Sequence, residues 1–338
     1  MDQQQSLEAY FNLLDSSPTF EIQTSFSKGY SVIGFGHDNV CVSISGGADS
    51  DVLLDFTIRL LKVLRYLGLG PAEVKYVFFD TGLEFQATKE HLTFLEKKYD
   101  IVIHREKAVV PVPLGVRLHG APFLTKQISD YIDRLQRHGF KWEDRPFDEL
   151  YKEYPRCKAA LKWWCNEWGE KSRFNIERHA WLKEFMVANP PGFKISKKCC
   201  EGAKKKTAKQ FQEKSDADLT MQGLRRAENG TRSTGLSSCF TQKMGEADSY
   251  RPLFWFTDFD KQEYCEAYGV THSRCYTEYG LPRTGCACCP FGSNFENELL
   301  AAEQYEPKLH KAALKVFGDS YEYTRAYRQF KEQMTSKK

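Results

Sequence analysis

Two sets of residues in this chain have types and spacing suited to chemistry. The first is Ser45-Gly46-Gly47-Ala48-Asp49-Ser50, directly after the β-branched run at 40–44. Glycines let backbone N–H groups approach a ligand closely. Asp49 and Ser50 are helix N-cap types, and an apolar helical pattern follows from Val52 to Leu61. A strand, a nest of amides and a helix N-terminus together make an anion site. No Gly-Lys-Ser/Thr follows, so the loop is not a Walker A motif. The second set is cysteine: the pair Cys199-Cys200 and, with 85 residues between, Cys286-Ala287-Cys288-Cys289. Four thiolates can hold a [4Fe–4S] cluster or a structural zinc. Adjacent side chains diverge, which suits a cluster better, since each thiolate then meets its own iron. Cys288 leaves the membership of the set open. Cys41 and Cys165 read as core residues, and Cys157, Cys239, Cys265 and Cys275 carry no ligand spacing.

Basic groups flank both sets. Eight lysines lie between 194 and 214, among them Lys204, Lys205 and Lys206. A lysine run alone is usually a solvated helix face. Arg225, Arg226 and Arg232 add forks suited to anions near a strand end.

The elements that would position these groups alternate. Strands are expected at 40–44, 74–80 and 100–104, with helices from about Ser50 and over 87–99. That rhythm implies right-handed βαβ units and a parallel sheet, with ligands beyond the strands' carboxyl ends. Asp80, Thr81, Gly82 and Glu84 fall on that edge, and the first three are candidate nucleotide contacts with Ser45, Gly46, Gly47, Asp49 and Ser50. After Val110 the rhythm stops at an irregular stretch beginning with Pro111. Residues 125–188 read as an aromatic-rich helical insertion, its tryptophans more suited to core packing than to a base platform. A strand at 219–224, a short strand at 251–256, a helix at 258–268 and two helices at 297–317 and 320–333 follow. The expected organisation is a helical lead-in at 1–38, a nucleotide-binding α/β domain at 39–290 with its insertion at about 111–190, and carboxyl-terminal helices at 291–338.

Composition sets the class. The chain has 338 residues, 41% hydrophobic and 28% charged, with net charge +3 and 11 cysteines. These values describe a globular chain with room for a sizeable core. The charge is too small to argue for nucleic acid alone. No apolar run approaches the roughly 20 residues of a membrane span. The start, Met-Asp-Gln-Gln-Gln, does not read as a signal peptide. Cysteine without such a signal points to a cytoplasmic protein with free or metal-bound thiols.

The motifs carry a resemblance. SGGADS matches the loop that holds the β- and γ-phosphates of ATP in the ATP-pyrophosphatase (PP-loop) superfamily. With FFDTGLEF at 78–85, GAPFLTK at 120–126, KCCEGAKKK at 198–206, GLRRAENGTR at 223–232, RPLFWFT at 251–257 and GLPRTGCACCPFG at 280–292, the chain resembles the phosphoadenosine phosphosulfate reductase family. This implies a doubly wound, five-stranded parallel sheet of adenine nucleotide α-hydrolase type, with adenine nucleotide at its carboxyl edge. The cysteines resemble those of adenosine phosphosulfate reductases, which implies Cys199, Cys200, Cys286 and Cys289 as ligands of a [4Fe–4S] cluster.

Two departures shift the expected chemistry. Reductases of this family carry a nucleophilic cysteine on a carboxyl-terminal tail, whereas no cysteine follows Cys289. Their glycine loop is usually degenerate, and here it is intact. Both point toward ATP-dependent adenylation with pyrophosphate release, coupled to sulfur transfer as in tRNA thiolation or DNA phosphorothioation. Asp49, Lys205 and Arg225 are then the catalytic candidates, Arg226 and Arg232 phosphate contacts, and Mg²⁺ the counter-ion. The expected partners are an adenine nucleotide, a protein donating sulfur or electrons, and an acceptor that a nucleic acid would fit; self-association stays open. The alternatives are thiol-dependent reduction of phosphoadenosine or adenosine phosphosulfate to sulfite, with Cys288 or a partner supplying the thiol, and a non-catalytic sensor of nucleotide or redox state.

Overall fold

The structure is a computed structural model and describes residues 3–228, 235–292 and 294–337. The chain forms two compact units. The first takes in Met1–Asp80, Glu84–Ala108 and Lys206–Gly285; the second takes in Thr81–Leu83, Val109–Lys205 and Cys286–Lys338.

The first unit is built on strands β1 (Asn39–Ser43), β2 (Glu73–Asp80), β3 (Ile103–Lys107), β4 (Leu219–Gln222), β5 (Phe240–Thr241) and β6 (Asp248–Tyr250). Among the described residues they form one sheet of order β3-β2-β1-β4-β6-β5. The expected five parallel strands are there, and two-residue β5 adds an antiparallel edge on β6. Alternation along β1 sends Val40 and Val42 into a core with Phe26, Leu53, Phe56 and Tyr264. Cys41 points the other way, into a smaller cluster with Val77 and Phe211. Both faces are thus covered by helices, as a parallel sheet requires. Phe26 and Phe56 stack at 4.4 Å; each such fully buried ring contributes about 1.5–3 kcal/mol.

Several boundaries differ from the sequence expectation, each for a local reason. Helix Ala48–Tyr66 starts before Ser50, because Gly47 takes the N-cap position and puts Asp49 and Ser50 inside the first turn. β3 begins at Ile103 rather than Asp100, since Asp100 takes a left-handed φ of 52° as the C-cap of helix Gln86–Tyr99. The short strand lies at Asp248–Tyr250, and 251–256 turns instead, with Phe254 N–H bonded to the Arg251 carbonyl and Phe256 N–H to that of Leu253. Pro111 opens a helix, Val112–His119, rather than an irregular stretch. The terminal helices break at Pro307, giving Phe295–Tyr305 and Pro307–Ser336. Proline suits the first turn of a helix, where its missing N–H costs nothing.

The second unit is helical. Helices Lys126–Arg137, Phe147–Glu153, Lys158–Trp164 and Leu182–Ala188 bury Phe123, Trp142, Trp163, Trp164, Phe185 and, from the terminal helix, Tyr327. Trp142, Trp163 and Trp164 are therefore core residues, while Trp168 stays 37% exposed. No helix among the described residues is long and apolar enough to cross a membrane.

Candidate functional site

β1 delivers the glycine loop to the carboxyl edge of the sheet, at the place where the order reverses between β2 and β4 on either side of β1. In open α/β sheets that switch point is where ligands bind. Gly46 has φ +69°, and a Cβ there would stand 2.6 Å from Thr88 Cγ2, so only glycine fits. Helix Ala48–Tyr66 then starts with no side-chain cap, leaving its positive end open to an anion. Two of the local amides already have partners. Gly47 N–H donates to Ser45 Oγ at 3.3 Å, and Ala48 N–H donates to Tyr276 Oη at 3.0 Å. Tyr276 Oη is in turn 3.2 Å from Thr284 Oγ1. Ser50 Oγ donates to the Gly47 carbonyl at 2.8 Å, which fixes the turn from inside.

The loop after β4 closes on the same helix turn. A Cβ on Gly223 would lie 2.7 Å from the Asp49 carbonyl oxygen, so the two backbones meet without a side chain between them. Two residues on, buried Arg225 donates from Nε to Asp49 Oδ1 at 3.0 Å and from Nη1 to Asp258 Oδ1 at 2.9 Å. Lys261 Nζ reaches the same Asp49 oxygen at 2.9 Å. Burial would raise the Asp49 pKa, but the Lys261 ammonium and the Arg225 guanidinium hold it below its usual value. Burial likewise opposes the Arg225 charge, and Asp49 and Asp258 more than offset it. One Asp49 oxygen thus holds two cations, and the Asp49 side chain also hydrogen-bonds Glu228, a position suited to orienting those cations.

Asp80 pairs with Lys89 Nζ at 3.4 Å. Thr81 and Gly82 belong to the second unit, where the Thr81 carbonyl accepts from Val112 N–H at 2.8 Å. Arg226 is exposed, with its guanidinium 5.4 Å from the centre of the Trp255 ring. Lys205 is exposed in a π-helical turn, Glu201–Lys206, and belongs to the second unit. Arg232 lies outside the described residues.

Sequence reading missed a polar network on the same helix. Asp51 is fully buried, with Oδ1 3.0 Å from His91 Nε2 and Oδ2 2.9 Å from His272 Nδ1. Asp55 accepts from Arg59 Nε at 2.6 Å, Tyr99 Oη at 2.9 Å and Tyr264 Oη at 2.9 Å. The available signal was two acidic residues within an apolar helix, since buried carboxylates need partners.

The second unit gathers the cysteines. Cys199 and Cys286 are buried, and Cys200 and Cys289 are half-buried. Gly115 allows the close approach: a Cβ there would sit 3.0 Å from Cys199 Cα. The Ala287 N–H donates to the Leu83 carbonyl and the Gly292 N–H to that of Cys289, both at 2.8 Å, pinning the CxxC turn. The Cys199 thiol is pushed far up, first by its hydrogen bond with Cys200, then by burial and by Cys200, Cys289 and Cys286. Burial, with Cys286 and Cys200 beside it, pushes Cys289 up to about 12, against the pull of the Phe291 N–H and Lys204. The four predicted ligands are therefore close enough to oppose one another's ionisation. Among the described residues, no three or more His, Cys, Asp or Glu side chains are placed to hold a single metal ion. Cys288 is fully buried, with φ +56°; its N–H donates to Glu298 Oε2 at 2.7 Å and its Sγ to the Glu298 carbonyl at 3.5 Å. That burial removes it as an accessible redox thiol.

Comparison with known proteins adds the following. No curated protein matches the chain. A phosphoadenylyl-sulfate (PAPS) reductase from Candida auris, solved as a phosphate complex, is similar at 12% identity and a TM-score of 0.40, over 82% of this chain and 93% of that one. The U34-tRNA thiolase NcsA from Methanococcus maripaludis, solved with its [4Fe–4S] cluster, is similar at 13% identity and a TM-score of 0.38, over 92% and 79%. Likeness at that level carries no argument about chemistry. Residues 39–117, from β1 into helix Val112–His119, match the phosphoadenosine phosphosulfate reductase domain, and over that segment the family resemblance read from the motifs is borne out.

Proposed function

We propose that the chain is an ATP-dependent enzyme that adenylates an acceptor and then delivers sulfur to it. An acceptor oxygen attacks the α-phosphate of ATP, the bond from that phosphorus to the bridging oxygen breaks, and pyrophosphate leaves. Ser45, Gly46, Gly47 and Ser50 with the helix N-terminus hold the pyrophosphate. Arg225 and Lys261, oriented by Asp49, neutralise the charge that develops on it. Asp49 already carries two cations, so Mg²⁺ belongs on the phosphate oxygens themselves. The observation that carries this proposal is the intact loop at the sheet's switch point with Arg225 brought to it by Asp49.

Cys199, Cys200, Cys286 and Cys289 would hold a [4Fe–4S] cluster, which supplies redox and sulfur-binding chemistry when bound. One feature supports the fit: four thiols that oppose one another's ionisation need a cationic centre to become thiolates together. Sulfonucleotide reduction remains the second reading, favoured by the domain match itself.

The deciding experiment is anaerobic purification followed by two assays run side by side. Pyrophosphate release from ATP is expected. Sulfite release from adenosine or phosphoadenosine phosphosulfate with a dithiol, and no pyrophosphate from ATP, would replace adenylation with reduction. Nucleotide binding with neither product would favour the sensor.

A further inference from the structure

We propose that Cys265, backed by His272 and Asp51, is a nucleophilic thiol that accepts sulfane sulfur from a persulfide donor. Cys265 Sγ lies 3.7 Å from His272 Nε2, and His272 Nδ1 lies 2.9 Å from Asp51 Oδ2. That is a nucleophile, a base and an orienting carboxylate in sequence. His272 Nδ1–H donates to Asp51, so Nε2 is the nitrogen that faces the sulfur. The second Asp51 oxygen is held by His91, which leaves the carboxylate no freedom to turn away.

The surroundings favour reactivity. Cys265 sits near the carboxyl end of helix Asp258–Tyr268. Two cations lie at that end: Lys98 Nζ donates to the Gly269 carbonyl at 3.0 Å, and Arg59 Nη2 donates to the Tyr268 carbonyl at 3.2 Å. Cys265 is partly exposed and the His272 side chain is 21% exposed, so a small donor can reach the pair. Cys41 and Cys275 of the same unit are buried; burial pushes Cys41 up to about 12, which keeps it inert. The site also lies close to the phosphate loop. The His272 ring is 5.7 Å from that of Tyr276, whose hydroxyl accepts the Ala48 N–H.

The step balances without an added oxidant. The Cys265 thiolate attacks the outer sulfur of R–S–SH, a new S–S bond forms and the donor's S–S bond breaks. The electron pair leaves on R–S⁻, which takes the Nε2 proton from the His272 imidazolium. The products are a persulfide on Cys265 and the donor thiol. A thiolate attacking sulfur with a thiolate leaving group is ordinary exchange chemistry. The role in delivery rests on the sulfur-transfer function proposed above; the loading itself needs no ATP.

The test uses the full chain with glutathione persulfide, without nucleotide, followed by alkylation and peptide mass spectrometry. Cys265 is expected to gain one sulfur before Cys41 or Cys275. His272→Gln should slow that gain about 10-fold or more, with loading at the other cysteines unchanged as an internal check on folding. Asp51→Asn should slow it in the same direction. An unloaded Cys265, or equal loading in His272→Gln, overturns the proposal. Neither result touches the pyrophosphate assay, and a failed pyrophosphate assay leaves this loading measurement intact, so the two failures are distinguishable.

Discussion

Helix Ala48–Tyr66 meets the sheet edge with two donors already engaged, Gly47 N–H on Ser45 and Ala48 N–H on Tyr276, and with Asp49 held by Arg225 and Lys261. The cysteine set of the second unit is the reverse. Its members sit close enough to resist ionising together. The loop is partly satisfied and exchanges two of its partners to bind a ligand; the thiols are completed by what they bind. The first arrangement should survive without its ligand and give up affinity in steps. The second should be all or none.

The largest effect expected is at the thiols. Anaerobic protein should be brown and carry about four irons and four sulfides per chain. Serine at Cys200, Cys286 or Cys289 should abolish the iron. Cys288→Ser should keep it, because Cys288 is buried and bonded to Glu298 through both its N–H and its Sγ. Iron analysis and the visible spectrum decide. Colourless protein holding zinc would end the cluster proposal, and iron lost with Cys288→Ser would redraw the ligand set.

The next effect tests whether the loop can be blocked without being unfolded. Gly47 holds the N-cap position with extended backbone, φ −94° and ψ 160°, and aspartate is a favoured N-cap. Gly47→Asp should therefore fold. Its Cβ would press on Thr284 Oγ1 at 3.0 Å, and its carboxylate would occupy the anion nest. ATP affinity by calorimetry should fall about 100-fold, roughly 2.7 kcal/mol, with the melting temperature little changed. Unaltered affinity would remove the loop from the binding site.

These contrasts also mark what was legible in the sequence. β1, the loop and the following helix could be read because alternation, two glycines and a helical apolar pattern are contiguous. The cysteine set could be read because its spacing is a ligand's spacing. The third strand was misplaced by three residues, since nothing in sequence shows that Asp100 would adopt a left-handed cap. The Asp51 network stayed hidden because its partners are 40 and 221 residues away. Lys261 stayed hidden in the same way, as one lysine on an ordinary helix. Arg226 was legible as a cation near a strand end, but its guanidinium lies over Trp255 instead of reaching Asp49.

A smaller effect sharpens the idea that the loop exchanges partners. Tyr276→Phe removes the hydroxyl on the Ala48 N–H and frees that donor for phosphate. ATP should bind about 3- to 5-fold tighter, in keeping with one hydrogen bond of roughly 1 kcal/mol no longer competing. Weaker binding would mean that the hydroxyl contacts the nucleotide itself.

A pH slope isolates the buried network from both ligand sites. Burial works to lower the His272 pKa, but Asp51 and Cys265 raise it from 6.5 to about 9. The groups facing its ring are Asp51 and Cys265, with Tyr276 alongside and His91 on the far oxygen of Asp51. A histidine pKa raised by folding adds stability that is fully present below the unfolded value and lost as pH rises through the folded one. The window here runs from 6.5 to about 9. Urea unfolding of the wild-type chain across that window should show declining stability toward the alkaline end. His272→Gln should be less stable at the acid end and nearly flat across the window, because glutamine keeps a hydrogen bond to Asp51 but has no charge to lose. Parallel slopes in the two proteins would mean that His272 is neutral in the folded chain, and the imidazolium of the Cys265 step would then form only by taking the thiol's own proton.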